Sequence, residues 1–274
     1  MLPTIMIFGH EISTYSLCAL IGIICAIVLF SVLHRKDKTL NSVQMVNIPL
    51  VSILGIFIGA HLLYGITHID HIWWVLCHLN IVFSSWELFI AYMGDIFGGM
   101  VFYGGLIGGL LAGGIYCKYM KLDPWLYADA YAPSIPLFHA FGRIGCFMSG
   151  CCYGIESSWG FVYENALSDV ANGVVRLPIQ LIEAGGDLLI CAVLVFIAYG
   201  HKYRKGTLIC LYLFSYAILR FITEFFRGDE IRGIVFGLST SQWISLLILI
   251  VVSIWAVRLY RPKDQTQNGE TTVR

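Results

Sequence analysis

The chain has 274 residues, of which 58% are hydrophobic and only 12% are charged. Soluble domains are about 45–50% apolar and about 25% charged, so this composition excludes an ordinary soluble globular enzyme and a disordered chain, and it argues against a nucleic-acid partner. The 17 basic and 17 acidic residues balance, so their placement is more informative than their sum. We expect the lipid bilayer to surround this protein.

Long apolar runs predict an all-α polytopic membrane protein with seven transmembrane helices. Each run has about the 20 residues that a helix needs to cross a bilayer. The predicted spans are 14–33, 45–65, 97–117, 127–147, 181–200, 207–227 and 241–260. The apolar stretch 72–93 is interrupted by polar residues, and we interpret it as an interfacial or re-entrant segment of the connection 66–96.

The placement of lysine and arginine predicts the orientation. Twelve of the 17 basic residues, including every lysine, lie at or after the ends of the first, third, fifth and seventh spans and therefore on one side of the membrane. Basic residues collect on the cytoplasmic side, so we expect the N-terminus outside and the C-terminus in the cytoplasm. Residues 1–13 contain no Lys or Arg and therefore lack the basic region of a cleavable signal peptide. We expect the first helix to be retained.

This topology predicts one transmembrane domain, residues 1–261, followed by a polar cytoplasmic tail, residues 262–274. The domain includes two exterior connections, 66–96 and 148–179, and the second is long enough to form a small exterior head.

Span six carries polar residues at helical spacing. Four of them fall on one stripe of the helix: Tyr216, Arg220, Glu224 and Arg227. An arginine at bilayer depth is costly and should face the bundle interior with an acidic partner. Glu183 and Asp187, four residues apart on span five, supply such partners. An ion-paired helix end near the outer interface is the alternative interpretation.

The end of span four has a second intramembrane arginine, Arg143, among glycines. The glycines suggest irregular backbone close to a bulky group, and they are Gly142, Gly145, Gly150 and Gly154. Guanidinium groups from two helices offer several donors that suit a phosphate. In an apolar bundle the available phosphate belongs to a lipid, so Arg143 and Arg220 predict a site for a phospholipid headgroup.

Span three is rich in paired glycines, a pattern typical of closely packed transmembrane helices. Tyr103 carries a polar hydroxyl and is followed by glycines, which leave space beside it. We expect its side chain to face a ligand cavity.

Three cysteines, Cys146, Cys151 and Cys152, lie close together in the sequence. They are consistent with small apolar side chains packed in a turn, with a disulfide on the outer face, or with a metal site that includes His139. The spacing lacks paired Cys-x-x-Cys motifs. We therefore favour packing and expect neither a metal ion nor another cofactor.

Several phrases resemble the prolipoprotein diacylglyceryl transferase family, in the same order along the chain. Residues 142–154 are similar to its signature Gly-Arg-x-Gly-Asn-Phe-x-x-Gly-Glu-x-x-Gly, and residues 102–108 to its His-Gly-Gly-Leu-x-Gly phrase. Residues 177–184 resemble Pro-x-Gln-Leu-Tyr-Glu-Ala, and residues 220–227 resemble Arg-Phe-x-x-Glu-Phe-x-Arg. Tyr15 stands where the family has an Arg-Trp-Tyr-Gly phrase.

The resemblance implies an enzyme of the bacterial plasma (inner) membrane with seven spans and a periplasmic head. The implied reaction transfers the diacylglyceryl group of phosphatidylglycerol to the thiol of the lipobox cysteine in a preprolipoprotein signal peptide, and glycerol phosphate leaves. The implied partners are this lipid, this peptide and the bilayer, with no nucleic acid.

The family motifs also imply site residues. The expected catalytic residues are Arg143, Arg220, Tyr103 and Glu224. The expected substrate contacts are Tyr15, His61, Gly104, Gly142, Cys146, Cys151, Gly154, Gln180, Glu183, Tyr216 and Arg227. Arg143 and Arg220 would stabilise the leaving phosphate, while Glu224 holds the guanidinium groups in place.

The chain departs from the family pattern at the site itself. Tyr103 replaces a histidine, Cys146 an asparagine, Cys151 a glutamate and His61 an arginine. A phenol with a pKa of about 10 is a poor base at neutral pH, so His61, His139 or no side chain is left as the proton acceptor. Three alternatives stay open: the same reaction, a related transferase with another lipid or acceptor, or a non-catalytic lipid-binding or transport protein.

Overall fold

The computed structural model describes residues 1–35, 37, 39–200, 202–229 and 233–261, and the predicted tail 262–274 lies outside them. The helices are α1 (Thr14–His34), α2 (Ser42–Thr67), α3 (Ile69–Cys77), α4 (Leu79–Val82), α5 (Trp86–Phe97), α6 (Phe102–Tyr119), α7 (Pro124–Tyr131), α8 (Ser134–Ser149), α9 (Ile179–Gly200), α10 (Thr207–Thr223) and α11 (Thr240–Tyr260). The strands are β1 (Thr4–Ile7), β2 (His10–Ser13), β3 (Glu156–Val162), β4 (Val175–Arg176), β5 (Ile234–Val235) and β6 (Leu238–Ser239).

The protein is a mostly helical, polytopic membrane protein. Among the described residues, five segments are long and apolar enough to cross a membrane: α1, α2, α9, α11 and Thr207–Phe226, which is α10 with the 3₁₀ turn that follows it. The bounds of α1, α9 and α11 lie within two residues of the predicted spans.

Two other predicted spans differ from the observed helices. The predicted span 127–147 is divided into α7 and α8 by a turn that contains Pro133. Proline has no backbone N–H and its ring clashes with the preceding turn, which accounts for the interruption. The predicted span 97–117 corresponds to α6, which begins at Phe102, after α5 has ended at Phe97.

The connections contain short strand pairs that the all-α prediction missed. Strand β1 pairs with β2 across Phe8 and Gly9, both with positive φ. Strand β5 pairs with β6 across Phe236 and Gly237 in the same way. Two consecutive residues with positive φ match the twist of a tight hairpin. In the connection 148–179, β3 pairs with β4, while the connection 66–96 is helical and contains α3, α4 and α5.

The chain divides into two compact units. The first comprises residues 1–36 and 128–274. In it α1 packs on α8, α8 on α9, α9 on α10 and α10 on α11. The carboxylate of Asp129 accepts hydrogen bonds from the backbone N–H groups of Gly206 (2.6 Å) and Ile209 (2.9 Å), so it caps the positive N-terminus of α10.

The second unit comprises residues 37–127 and is built on the contact of α2 with α6. A methyl group at Gly59 would overlap the backbone oxygen of Gly104, and one at Gly108 would overlap that of Gly55. Only glycine permits this approach of two backbones. The structure therefore gives the paired glycines of span three a packing role.

Candidate active site

A buried glutamate joins two arginines from different helices. Glu183, on α9, is 3% exposed. Its Oε2 lies 2.7 Å from Nε of Arg143 on α8, and its Oε1 lies 2.7 Å from Nη1 of Arg220 on α10. The hydroxyl of Thr223 also donates to Oε1, over 2.8 Å. One carboxylate thus connects α8, α9 and α10 at the position of the two arginines that the sequence predicts to bind a phosphate.

The two arginines are bound differently. Arg220 uses Nη1 for Glu183, and its Nη2 contacts Oε2 of Glu224 at 2.6 Å and the hydroxyl of Ser241 at 3.2 Å. The atom of Arg143 closest to Glu183 is Nε, and among the described residues no hydrogen bond engages its two terminal amino groups. A planar guanidinium can bind a second oxyanion through such groups. Arg143 is therefore the better placed of the two to contact a phosphate directly.

The ion pairs line a narrow cleft between helices. Arg143, Glu183, Tyr216 and Arg220 contribute to its wall. The side chains of Arg143 and Arg220 are 20% and 13% exposed. Charges this far from water are stable only with partners, and here the partners come from neighbouring helices. The cleft can stabilise negative charge that develops on a ligand.

Asp187 adds a second acidic group to the wall of the cleft, one helical turn after Glu183. It is 1% exposed, and its two carboxylate oxygens accept no hydrogen bond from any residue that the structure describes. An unpaired buried polar group is costly, which makes Asp187 a candidate contact for a ligand in this cleft.

The predicted helical stripe from Tyr216 to Arg227 ends before Arg227. Helix α10 ends at Thr223, a 3₁₀ turn covers Glu224–Phe226, and Arg227 is extended. Its guanidinium pairs with Asp229, with Nη2 2.8 Å from Oδ2. The change of backbone conformation separates Arg227 from the stripe.

Gln180 fixes the turn after α8. It is fully buried, its Nε2 donates to the backbone oxygen of Cys151 at 2.8 Å, and its Oε1 accepts from the hydroxyl of Tyr163 at 2.9 Å. Both ends of the amide are thereby engaged within the protein. The structure gives this residue, expected to contact substrate, a positioning role.

The backbone after this turn is tied to the end of α10. The N–H of Gly228 donates to the oxygen of Tyr153 at 2.9 Å, and that of Ile155 donates to the oxygen of Phe226 at 3.0 Å. A methyl group at Gly154 would overlap the oxygen of Leu177. Gly154 is thus a close-packed backbone position.

On α8, by contrast, a methyl group at Gly142 would meet open space, whereas one at Gly145 would press on Tyr15 of α1. Tyr15 therefore packs over the α8 face that carries Gly145. His139, one turn before Arg143, places Nδ1 3.2 Å from the hydroxyl of Tyr212 and its ring 5.2 Å from that of Tyr216.

The three clustered cysteines meet around the end of α8. The sulfur atoms of Cys146, Cys151 and Cys152 all lie within 4.8 Å of one another, and His139 does not belong to this group. All nine cysteines lie in described parts of the chain and are free thiols, so the structure does not contain the disulfide left open by the sequence.

Tyr103, Gly104 and His61 belong to the second unit. Tyr103 and Gly104 lie in the first turn of α6, where Gly104 packs against Gly59 of α2. The ring of His61, on α2, is 5.4 Å from that of Phe57.

Sequence reasoning missed several residues that support the site. The hydroxyls of Thr223 and Ser241 bind the charged cluster. Arg176, 6% exposed, stacks 4.5 Å from the ring of Tyr153 and donates to the backbone oxygens of Gly154 and Val170. Thr223 could have been found from its place beside Glu224, whereas no sequence pattern brings Ser241 to Arg220.

Comparison with known proteins identifies relatives over nearly the whole chain. The family model described as prolipoprotein diacylglyceryl transferase matches residues 3–258. The phosphatidylglycerol–prolipoprotein diacylglyceryl transferase of Clostridium tetani is 34% identical over 249 residues, 89% of this chain and 92% of the relative. The second such enzyme of Clostridium perfringens is 34% identical over 96% of this chain and 97% of its own. The enzyme of Campylobacter lari is 30% identical over 89% and 88%.

Proposed function

We propose that this chain, which belongs to the prolipoprotein diacylglyceryl transferase family, transfers the diacylglyceryl group of phosphatidylglycerol to a cysteine thiol of a prolipoprotein. The observation that carries the proposal is the cluster in which Glu183 binds both Arg143 and Arg220 inside an apolar helical bundle. Buried guanidinium groups of this kind suit the phosphate of an anionic lipid.

The reaction balances without a cofactor. The cysteine sulfur forms a bond to a glyceryl carbon, and the bond from that carbon to the phosphate oxygen breaks. The electron pair leaves with glycerol phosphate, the thiol loses its proton, and the product is a thioether. Negative charge therefore grows on the departing phosphate, which is where a preorganised cation lowers the barrier.

The two arginines have different roles in the proposed reaction. Arg143 has terminal amino groups that Glu183 does not occupy, and it binds the phosphate. Arg220 is held by Glu183, Glu224 and Ser241, so it supplies a fixed positive charge and keeps Glu183 in position. Glu183 in turn prevents the two guanidinium groups from separating.

The attacking thiol needs little assistance from a base. An ordinary cysteine has a pKa of about 8.5, so a few per cent is thiolate at neutral pH. A positively charged cleft raises that fraction. Tyr103 is retained as a residue that contacts the peptide, and His61 as one that contacts the peptide or receives its proton. Tyr15, Gly142 and Tyr216 are retained as contacts of the lipid.

The proposed acceptor is the lipobox cysteine of a signal peptide, presented from the outer side of the plasma membrane. We propose seven spans with the N-terminus outside and the C-terminus in the cytoplasm, because the lysines follow alternate spans. In this arrangement α6 and α8 complete the set of spans, and the segment with β3 and β4 forms an exterior head. Reporter fusions after residues 35, 120 and 202 should all report cytoplasm, and one after residue 165 the exterior.

The activity test uses the purified full chain with phosphatidylglycerol and a synthetic lipobox peptide. Mass spectrometry should show a peptide that has gained one diacylglyceryl group, with an equal amount of glycerol phosphate released. A peptide with serine in place of cysteine is the matched control and should stay unmodified. Bound but intact lipid, with no adduct, would contradict the proposal and favour a lipid-binding protein. An adduct on a small thiol but not on the peptide would reassign the acceptor.

A further inference from the structure

The three thiols that end α8 are held in one place by the surrounding backbone. Helix α8 ends at Ser149, and the next residue, Gly150, has φ +70°. The N–H of Cys151 donates to the oxygen of Cys146 at 3.1 Å. Gln180 holds the oxygen of Cys151. Cys152 itself has φ +55°, a conformation that side chains other than glycine adopt rarely. The chain thus turns all three sulfur atoms toward a common point.

The spacing of the sulfur atoms suits a shared metal ion. With metal–sulfur bonds of about 2.3 Å, sulfur atoms around one ion are about 3.8–4.0 Å apart. Those of Cys146, Cys151 and Cys152 lie within 4.8 Å of one another. Shifts of less than about 1 Å, which side-chain rotation supplies, would bring them to bonding distance.

Two positively charged side chains act on the thiol cluster. The guanidinium groups of Arg227 and Arg143 both interact electrostatically with the sulfur atom of Cys152. Metal ions bind the deprotonated form of cysteine. The two guanidinium groups offset the excess negative charge of a three-thiolate site.

We propose that Cys146, Cys151 and Cys152 form a binding site for one thiophilic metal ion. The ligand chemistry is that of Cu(I), which is suited to soft thiolate ligands, or of Zn(II), which would add a water molecule as its fourth ligand. The site uses neither Glu183 nor the lipid, so the proposal does not depend on the transfer reaction.

Binding is tested on the full chain, purified in detergent with a reductant and then freed of reductant. Titration with Cd²⁺ should give the ultraviolet charge-transfer band of thiolate–metal bonds, saturating at one ion per chain. Cys151→Ser and Cys152→Ser should each weaken binding at least tenfold, and the triple Cys→Ser variant should abolish the band. Cys77→Ser removes an exposed thiol of the second unit and should bind as the unchanged protein does.

Competition separates the two candidate ions. Displacement of Cd²⁺ by Cu(I), supplied from a chromophoric chelator, but not by an equal concentration of Zn²⁺ identifies a copper-type site, and the reverse result identifies a zinc-type site. Either outcome supports the proposal.

Three results would overturn the proposed metal site. They are the absence of a charge-transfer band at stoichiometric Cd²⁺, a band that persists in the triple variant, and a disulfide among the three cysteines that remains after treatment with reductant. Because substitution of the buried Cys146 can disturb folding, alkylation of the unchanged protein is the second measurement. Bound metal should protect Cys151 and Cys152 from maleimide and leave Cys77 reactive, and equal labelling with and without metal would also refute the site.

Discussion

The Nε atom of Arg143 lies 2.7 Å from Oε2 of Glu183, while the other carboxylate oxygen of Glu183 is occupied by Arg220. A single carboxylate therefore sets the separation of the guanidinium groups of two arginines that are 77 residues apart in sequence. This relationship distinguishes the two arginines, because Arg220 has both terminal nitrogens engaged by described residues, whereas Arg143 approaches Glu183 through Nε.

Arg143→Lys should lower the rate of diacylglyceryl transfer about 10²–10³-fold, the effect of removing one charge-stabilising donor in other enzymes. Lysine keeps the charge but not the planar pair of amino groups. We expect the thermal midpoint to change little, because Arg143 makes one ion pair to Glu183. Arg258→Lys, at an exposed position of α11, is the control and should keep full activity. Normal turnover by the Arg143 variant would remove this residue from the phosphate site.

Arg220→Lys should impair both activity and stability. The change disrupts contacts to Glu183, Glu224 and Ser241 at once. Breaking a buried ion pair costs about 3–5 kcal/mol, and a lysine recovers part of it. We expect the midpoint of thermal unfolding in detergent, measured together with the transfer rate, to be lower for Arg220→Lys than for Arg143→Lys. Equal midpoints would contradict the division of roles between the arginines.

Glu183→Gln should destabilise the first unit more than any single arginine variant does. Neutralising the carboxylate leaves Arg143 and Arg220 beside each other without their common anion, at a cost of about 3–5 kcal/mol. The matched control is Glu87→Gln, an exposed residue of α5, which should unfold at the unchanged temperature. A stable and active Glu183→Gln protein would show that the carboxylate does not organise the cluster.

Gln180→Ala should lower stability by about 1–3 kcal/mol, because it leaves the oxygen of Cys151 and the hydroxyl of Tyr163 without their present partner. Tyr163→Phe removes only the second of these contacts and should cost less. The measurement is thermal unfolding together with maleimide labelling of Cys151, which we expect to be faster in Gln180→Ala alone. Slower labelling in that variant would argue against a positioning role.

Gly59→Ala should separate α2 from α6, because the added methyl group would overlap the backbone oxygen of Gly104. Gly114→Ala, in α6, is the control, since its methyl group would meet no atom within 4 Å. Alanine is also the better helix former by about 1 kcal/mol, so the control should be neutral or slightly stabilising. Limited proteolysis in detergent measures the effect, and we expect the second unit to be cleaved faster in Gly59→Ala than in Gly114→Ala. Equal resistance of the two variants would refute close packing at Gly59.

The sequence predicted the long helices well, because lipid requires about 20 apolar residues per span and few polar residues interrupt α1, α9 and α11. It also indicated that Arg220 needs an acidic partner, because a lone charge at that depth is costly. It did not predict the break at Pro133 or the two-residue hairpins at Phe8 and Phe236, since these depend on the local backbone rather than on hydrophobic periodicity.

The arrangement of the site was less accessible from the sequence. A helical stripe placed Arg227 beside Glu224, but α10 ends at Thr223 and the following 3₁₀ turn redirects the chain. The hydroxyl of Ser241 reaches Arg220 from the next helix, and nothing in the spacing of a serine reveals such a contact. Gln180 resembled a substrate contact, yet both ends of its amide are used within the protein.

The paired backbone hydrogen bonds between residues 153–155 and 226–228 connect two parts of the chain mechanically. One strand of this crosslink continues from the cysteine turn and the other from the helix that carries Arg220. These backbone hydrogen bonds couple the positions of the two segments directly. An ion that stiffened the thiol turn would, by this route, also restrain the backbone on either side of Arg227.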